Sequence, residues 1–275
     1  MKFIKKPQLA AIAIAVFLIV LLLLLPRVET FDRKLVLDGP AERPVTTDDL
    51  ADKDAALRDA ILERIKNIED PIEKIDWYDS LASFYESRSK IYQAAEALAD
   101  IADIVQDKPS YFIAGDKYFL AFQNGVEENR QGSLEKAIAS YQKVLDKNPE
   151  DLDAMTSLGV CYVEGAQFTG EPPMKGIGML RKVLEMDPEN INALINLGYF
   201  AVKSGQYDRA EERFNQVLQI DPDYLDGYLY LSDLYLKSGK KEKSIEMLHK
   251  YREYIKDPEM VKQLDDYIEQ IRNSN

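Results

Sequence analysis

The chain has 275 residues, 46% of them apolar and 30% charged, with a net charge of −13. That length suits one elongated domain together with a membrane segment, and so acidic a surface repels phosphate backbones, which argues against nucleic acid as a partner. One cysteine, Cys161, and one histidine, His249, can build neither a disulfide framework nor a Cys/His metal site within one chain.

Residues 1–8 form a short tail carrying Lys2, Lys5 and Lys6. Leu9 to Leu25 is an unbroken apolar run of 17 residues. At about 1.5 Å rise each, it reaches the lower end of what spans a hydrocarbon core. A cleaved signal peptide has a shorter apolar core and a small-x-small site after it. Here Leu-Pro-Arg-Val-Glu follows, so the run reads as an uncleaved transmembrane anchor, and with no cysteine after it the lipoprotein reading falls away. The dense lysines before the run outweigh Arg27, Arg33, Lys34 and Arg43 after it. The expected topology is therefore single-pass in the inner membrane, N-terminus cytoplasmic, remainder outside the cytoplasm. Residues 26–46, with Gly39, Pro40 and Pro44, read as a tether.

A helix opens at Thr46, Thr47, Asp48 and Asp49, acceptors suited to a helix N-terminus. Leu57, Ala60, Ile61, Ile65 and Ile68 give it one apolar face, and Asp70-Pro71 stops it, so residues 47–74 form an N-terminal element. The unit at 75–108 turns Tyr78, Leu81, Ala82 and Tyr85 inward from a first helix and Ala94, Leu98 and Ile101 from a second; Trp77 belongs to its core. The next, 109–151, carries about nine extra residues against the period set out below, which predicts a longer first helix or an extra turn. Its aromatics Tyr111, Phe112, Tyr118, Phe119 and Phe122 exceed what one helix face needs, and packing on the N-terminal helices is the expectation. In 152–190 the insertion GAQFTGEPPMKG lies between the helices. It is either a tolerated surface loop or a rim at which Phe168 and Met174 shape a binding surface. Residues 191–224 hold the cleanest hairpin. Leu194, Leu197, Gly198 and Ala201 mark one helix face, Ser204 and Gly205 end that helix, Ala210, Phe214, Val217 and Leu218 mark the second, and Asp221-Pro222 closes it. A further unit spans 225–257. Pro258 then opens a last helix, 258–275, with a stripe of Met260, Val261, Leu264, Tyr267, Ile268 and Ile271.

These units are spaced regularly. Leu231 lies 34 residues after Leu197, Gly239 lies 34 after Gly205, and Leu248 lies 34 after Phe214; Leu158 and Gly159 lie 39 before Leu197 and Gly198. A hairpin of this size cannot cover its own apolar faces and needs copies of itself on both sides. The residues Leu197, Gly198, Gly205, Tyr207, Ala210, Phe214 and Pro222 resemble the tetratricopeptide repeat family. So do Leu158, Gly159, Tyr162, Leu180 and Pro188; Gly132, Ala137, Tyr141 and Pro149; and Tyr228, Leu231, Tyr235, Gly239, Ser244 and Leu248. The resemblance covers 75–257 as about five units. It implies an all-α, right-handed α-solenoid of stacked helical hairpins behind a single transmembrane helix, closed by a capping helix at 258–275.

No Gly-rich phosphate loop, G-x-S-x-G elbow or His-Glu-x-x-His is present, and the many carboxylates sit at the spacing of solvated helix faces. The expectation is no enzyme, no cofactor, no metal and no small-molecule substrate. The resemblance implies a groove lined by the first helices. The candidates are Asn192, Ile195, Tyr199, Val202 and Lys203; Asp226, Leu229, Asp233, Leu236 and Lys237; and Asp153, Thr156, Val160, Val163 and Glu164. The carboxylate clamp of some family members is missing, because Ile195, Leu229 and Thr156 stand where Lys or Asn is wanted, and Tyr199 and Asp233 where Asn is wanted. The groove suits a peptide or helix with apolar anchors. The resemblance extends to membrane-anchored bacterial proteins whose repeats serve envelope assembly or biogenesis. A scaffold for a protein partner is the leading expectation; a homo-oligomerisation module and a holdase for apolar segments are the alternatives.

Overall fold

The computed structural model describes residues 47–125 and 127–273. Almost everything described belongs to one compact unit, Ala51–Asn275. The expected anchor at 9–25 and tether at 26–46 lie outside the described residues. Among the described residues no helix is long and apolar enough to cross a membrane.

Every element described is an α-helix. In order they are α1 (Thr47–Asn67), α2 (Pro71–Glu86), α3 (Ile91–Val105), α4 (Lys108–Asn124), α5 (Glu127–Lys147), α6 (Leu152–Glu164), α7 (Ala166–Thr169), α8 (Pro173–Met186), α9 (Ile191–Lys203), α10 (Tyr207–Ile220), α11 (Leu225–Lys237), α12 (Lys241–Arg252) and α13 (Pro258–Asn273). Five hairpins follow α1: α2–α3, α4–α5, α6–α8, α9–α10 and α11–α12.

Local chemistry sets the boundaries. The first helix of four hairpins starts under a side-chain cap: Asp70 accepts from Ile72 N, Asp107 from Ser110 N, Asp151 from Ala154 N and Asn190 from Ala193 N, at 2.9–3.0 Å. Each cap satisfies an amide the helix leaves without a partner. Within α9–α10 and α11–α12 the chain turns through Gly205 and Gly239 at φ +73° and +75°. This left-handed conformation suits glycine. It lets Gln206 N reach back to Ala201 O, and Lys240 N to Tyr235 O. Between units, Asp187 and Asp221 end the second helices in extended conformation, and their carboxylates accept from Glu189 N and Asp223 N.

The core is a row of clusters, each drawn from neighbouring helices. Ile61 and Ile65 of α1 pack with Leu81, Ala82, Phe84 and Ala97, and Trp77 lies against them as expected. Ala95, Tyr118, Phe122, Leu134, Ala137, Tyr141, Leu158 and Cys161 form the next. Further along, Leu180 meets Leu197 and Phe200, and Phe214 meets Leu231 and Leu234. Leu134, Leu180, Leu194, Leu231 and Leu234 are fully buried, and truncating any of them to alanine costs about 2–5 kcal/mol. Small residues stand where the helices of a hairpin cross. In α6–α8 these are Gly159 and Gly176, in α9–α10 Gly198, which lies against the Phe214 ring, and in α11–α12 Ser232 and Ser244, which hydrogen-bond to each other at 2.8 Å.

The longer first helix expected in 109–151 is present, α4 having 17 residues against 13 in α6, and the second helix is longer too, α5 having 21 against 14 in α8. Other expectations are corrected. Leu57 and Ala60 are exposed, so only the Ile61–Ile65–Ile68 part of the α1 stripe is buried. Phe168 does not project at a rim. The short helix α7 folds it back edge-on against Phe122 at 5.6 Å, with the Arg130 guanidinium 5.2 Å from its ring. Met174 is exposed. The last helix covers Leu248 with Ile268, Ile271 and Leu264, while Met260 and Tyr267 face solvent.

Candidate functional site

The first helices of three successive hairpins, α4, α6 and α9, share a cavity of about 570 Å³. Helical periodicity explains which residues reach it. On α4 they are Lys108, Phe112, Asp116 and Phe119; on α6, Asp153, Thr156, Ser157 and Val160; on α9, Asn192 and Asn196; Tyr141 of α5 closes the floor.

Lys108 fixes one end. Its Nζ lies 2.8 Å from Asp151 Oδ2 and 2.9 Å from Asp153 Oδ2. Those hydrogen bonds raise its pKa and tie α4 to α6. At the floor Tyr141, 2% exposed, donates to Asp116 Oδ1 at 2.5 Å and packs 5.5 Å from the Phe112 ring. Burial, and then the Asp116 carboxylate, push its phenol far up, so it stays a protonated donor. At the other end Asn196 Nδ2 donates to Asn192 O at 2.8 Å, while the Asn192 side-chain amide makes no hydrogen bond among the described residues. The cavity thus combines three aromatic rings, Phe112, Phe119 and Tyr141, and a valine with amides and carboxylates that can pair with a ligand's backbone. It holds no activated nucleophile. Cys161 is buried, and burial raises its thiol, so it stays uncharged and shielded. No group of three metal-ligating side chains occurs among the described residues.

The sequence-derived candidates separate into three groups. Asn192, Thr156, Val160 and Asp153 line the cavity. Of these Thr156 is buried, its hydroxyl held by Leu152 O at 2.8 Å, so it is wall more than contact, and Val160 packs partly against Leu180 and Leu197. Ile195 and Tyr199 lie on the same helix but outside the cavity, because the stripe facing it on α9 is 192–196 and not 195–199. Tyr199 is 46% exposed, with Lys203 Nζ 4.9 Å from its ring. Lys203 pairs with Glu164 at 2.7 Å, and both, with Val163, line a different recess. Val202 is buried. The α11 group lies outside both recesses. Leu229 and Leu236 pack under α13, Asp233 and Lys237 pair at 2.7 Å, and Asp226 is exposed.

Sequence reasoning missed Lys108, Phe112, Asp116, Phe119, Tyr141, Ser157 and Asn196 as cavity residues. The surplus of aromatics on α4 was the available signal: Phe112 and Phe119, spaced seven apart, are the two that line the cavity.

Two models described as tetratricopeptide repeat match the chain, one at residues 176–217 and 201–264 and the other at 124–171. No curated protein gives a significant match. Among solved structures, a tetratricopeptide repeat protein from Parabacteroides merdae ATCC 43184 is 18% identical over 82% of this chain and 93% of that one, with a TM-score of 0.48. PilW, a type IV pilus biogenesis factor, is 18% identical over 79% and 91%, TM-score 0.48. YrrB, a TPR protein with an unusual peptide-binding site, is 21% identical over 76% and 99%, TM-score 0.42.

Proposed function

The chain belongs to the tetratricopeptide repeat family, and from that premise we propose that it is a membrane-anchored scaffold whose α4–α6–α9 cavity holds a segment of a partner protein outside the cytoplasm, in envelope assembly or biogenesis. The observation that carries the binding role is the cavity itself. Three repeats contribute to it, its lining joins aromatic rings from α4 and α5 with amides from α9, and it has no group poised for covalent chemistry. An extended segment can place apolar side chains on Phe112, Phe119 and Val160 while Asn192 and Asn196 meet its backbone. The anchor rests on the apolar run Leu9 to Leu25 and the lysines before it.

The test is crosslinking in intact cells followed by mass spectrometry, with the N-terminal segment retained. Asn192→Arg and Asn196→Arg put bulk and charge into the cavity from positions that are not in the core. Each should abolish the partner crosslink while leaving the thermal melt unchanged. A partner captured equally by both variants would show that the cavity is not its site.

A further inference from the structure

A second recess, of about 670 Å³, opens on another side of the repeats, between α8 and α10, the second helices of two successive hairpins. Backbone packing places α8 for this. Gly176 sits against Gly159 of α6 with no side chain between them. The α8 stripe Met174, Ile177 and Arg181 faces the recess instead. Leu197 and Phe200 of α9, both buried, make the floor with Ile177 and Ala201, while Met174 stands 59% exposed at the mouth.

The charges around this floor run against those of the chain. Glu164 is already held by Lys203. Arg181 on one bank, and Arg209 and Arg213 on the other, have no carboxylate within ion-pair distance among the described residues; Arg209 and Arg213 donate only to the neutral side chains of Gln206 and Gln216. Glu212 is the one acidic group at the recess outside that Lys203 pair. A protein of net charge −13 therefore presents around an apolar slot three guanidiniums that form no ion pair among the described residues, with Glu212 the single carboxylate beside them. Arginine in this setting favours bidentate capture of carboxylates, and the volume falls in the range of peptide and ligand pockets.

We propose that this recess is a second docking site, distinct from the α4–α6–α9 cavity, and that it takes a partner-protein segment in which large apolar side chains are flanked by carboxylates. The apolar side chains enter between Ile177 and Phe200. Carboxylates before and after them meet Arg181 and the Arg209–Arg213 pair. The guanidiniums stand on opposite banks of a slot with an apolar floor, which selects a segment carrying both features over a flat anionic surface.

The experiment uses the full chain in detergent and fluorescence anisotropy of labelled Glu-Asp-Leu-Phe-Asp-Glu. This peptide should bind at least about tenfold more tightly than Gln-Asn-Leu-Phe-Asn-Gln and than Glu-Asp-Ser-Gly-Asp-Glu. Arg181→Glu combined with Arg213→Glu should weaken it about tenfold or more, and Arg209→Glu, on the surface, should give a smaller loss with an unchanged melt. Asn192→Arg should bind it normally, which separates this site from the cavity. Equal affinity for the neutral peptide, or an affinity indifferent to the arginine substitutions, would overturn the proposal. So would arginine-dependent binding to phosphatidylserine vesicles or self-association lost in the double variant, when either occurs without binding of the acidic peptide.

Discussion

Gly176 of α8 lies so close to Gly159 of α6 that a Cβ on Gly176 would stand 2.1 Å from the Gly159 carbonyl oxygen. The obstacle is backbone, which cannot rotate away. Gly176→Ala is expected to lower stability by roughly 1–3 kcal/mol, the cost of overpacking, seen as a lower urea midpoint. Gly178, two residues on, meets nothing within 4 Å. Gly178→Ala should raise stability by about 0.5–1 kcal/mol, because alanine loses less backbone entropy in a helix. Equal effects at the two positions would refute the close helix approach.

Ser232 and Ser244 test the same crossing in the last hairpin. Both are buried, and each is the other's partner at 2.8 Å. Removing one hydroxyl leaves a buried polar group unpaired. Ser232→Ala and Ser244→Ala should therefore each cost about 1–3 kcal/mol, and the double substitution less than their sum. A double-mutant cycle by chemical denaturation measures that coupling; strict additivity would mean the pair does not form.

Asp151 links capping to pH. Burial alone would raise its carboxyl, but hydrogen bonds from Lys108 and from Ala154 N outweigh that and hold it below the usual carboxylate range. A group lowered in the folded state contributes stability above its unfolded pKa of about 4 and loses it as pH falls through the folded value. Asp151→Asn should thus differ from the parent chiefly above pH of about 4, with the two converging in acid. Asp151→Ala, which also removes the cap, should cost about 1–2 kcal/mol at neutral pH. Melts across the acid range would settle the sign.

The proposed anchor makes a prediction of its own. Alkaline phosphatase fused after Asn275 should be active and a green fluorescent protein at the same place dark, since the first folds outside the cytoplasm and the second inside it. The opposite pair of results would invert the proposed topology. Replacing Lys2, Lys5 and Lys6 with neutral residues should weaken the orientation, because lysines before the run outweigh the arginines after it.

Much of the fold was legible in the sequence because repetition makes a local signal recur. Helix ends at Asp221-Pro222 and Pro258, the turn at Gly205 and the buried stripe of α10 all follow from residue chemistry within one turn of helix. The departures come from contacts between units. Leu57 and Tyr267 sit on ideal apolar stripes, yet both stay about half exposed among the described residues. The sequence leaves open whether Phe168 sits in a plain surface loop or at a rim, and neither reading foresees that α7 carries it back to Phe122. The cavity was harder to read. Which of Asn192, Ile195, Asn196 and Tyr199 face it depends on the rotation of α9 against α6, a quantity that periodicity within α9 leaves open. The α4 side of the cavity was hidden because Phe112 and Phe119 served equally well as core candidates.

The division of the core into clusters drawn from neighbouring helices bears on how the chain reaches this state. Ile61 never needs to find Ile268. The longest closures are those between helices of adjacent hairpins, so the entropy lost before the first favourable burial is small. Chains with such short-range topology fold fast, and order can begin at any hairpin and spread along the row. The α9–α10 hairpin, with its Asn190 cap, its Gly205 turn and the buried Phe214, is the expected starting point. Substitutions there should slow refolding, while those under α13 should mainly hasten unfolding.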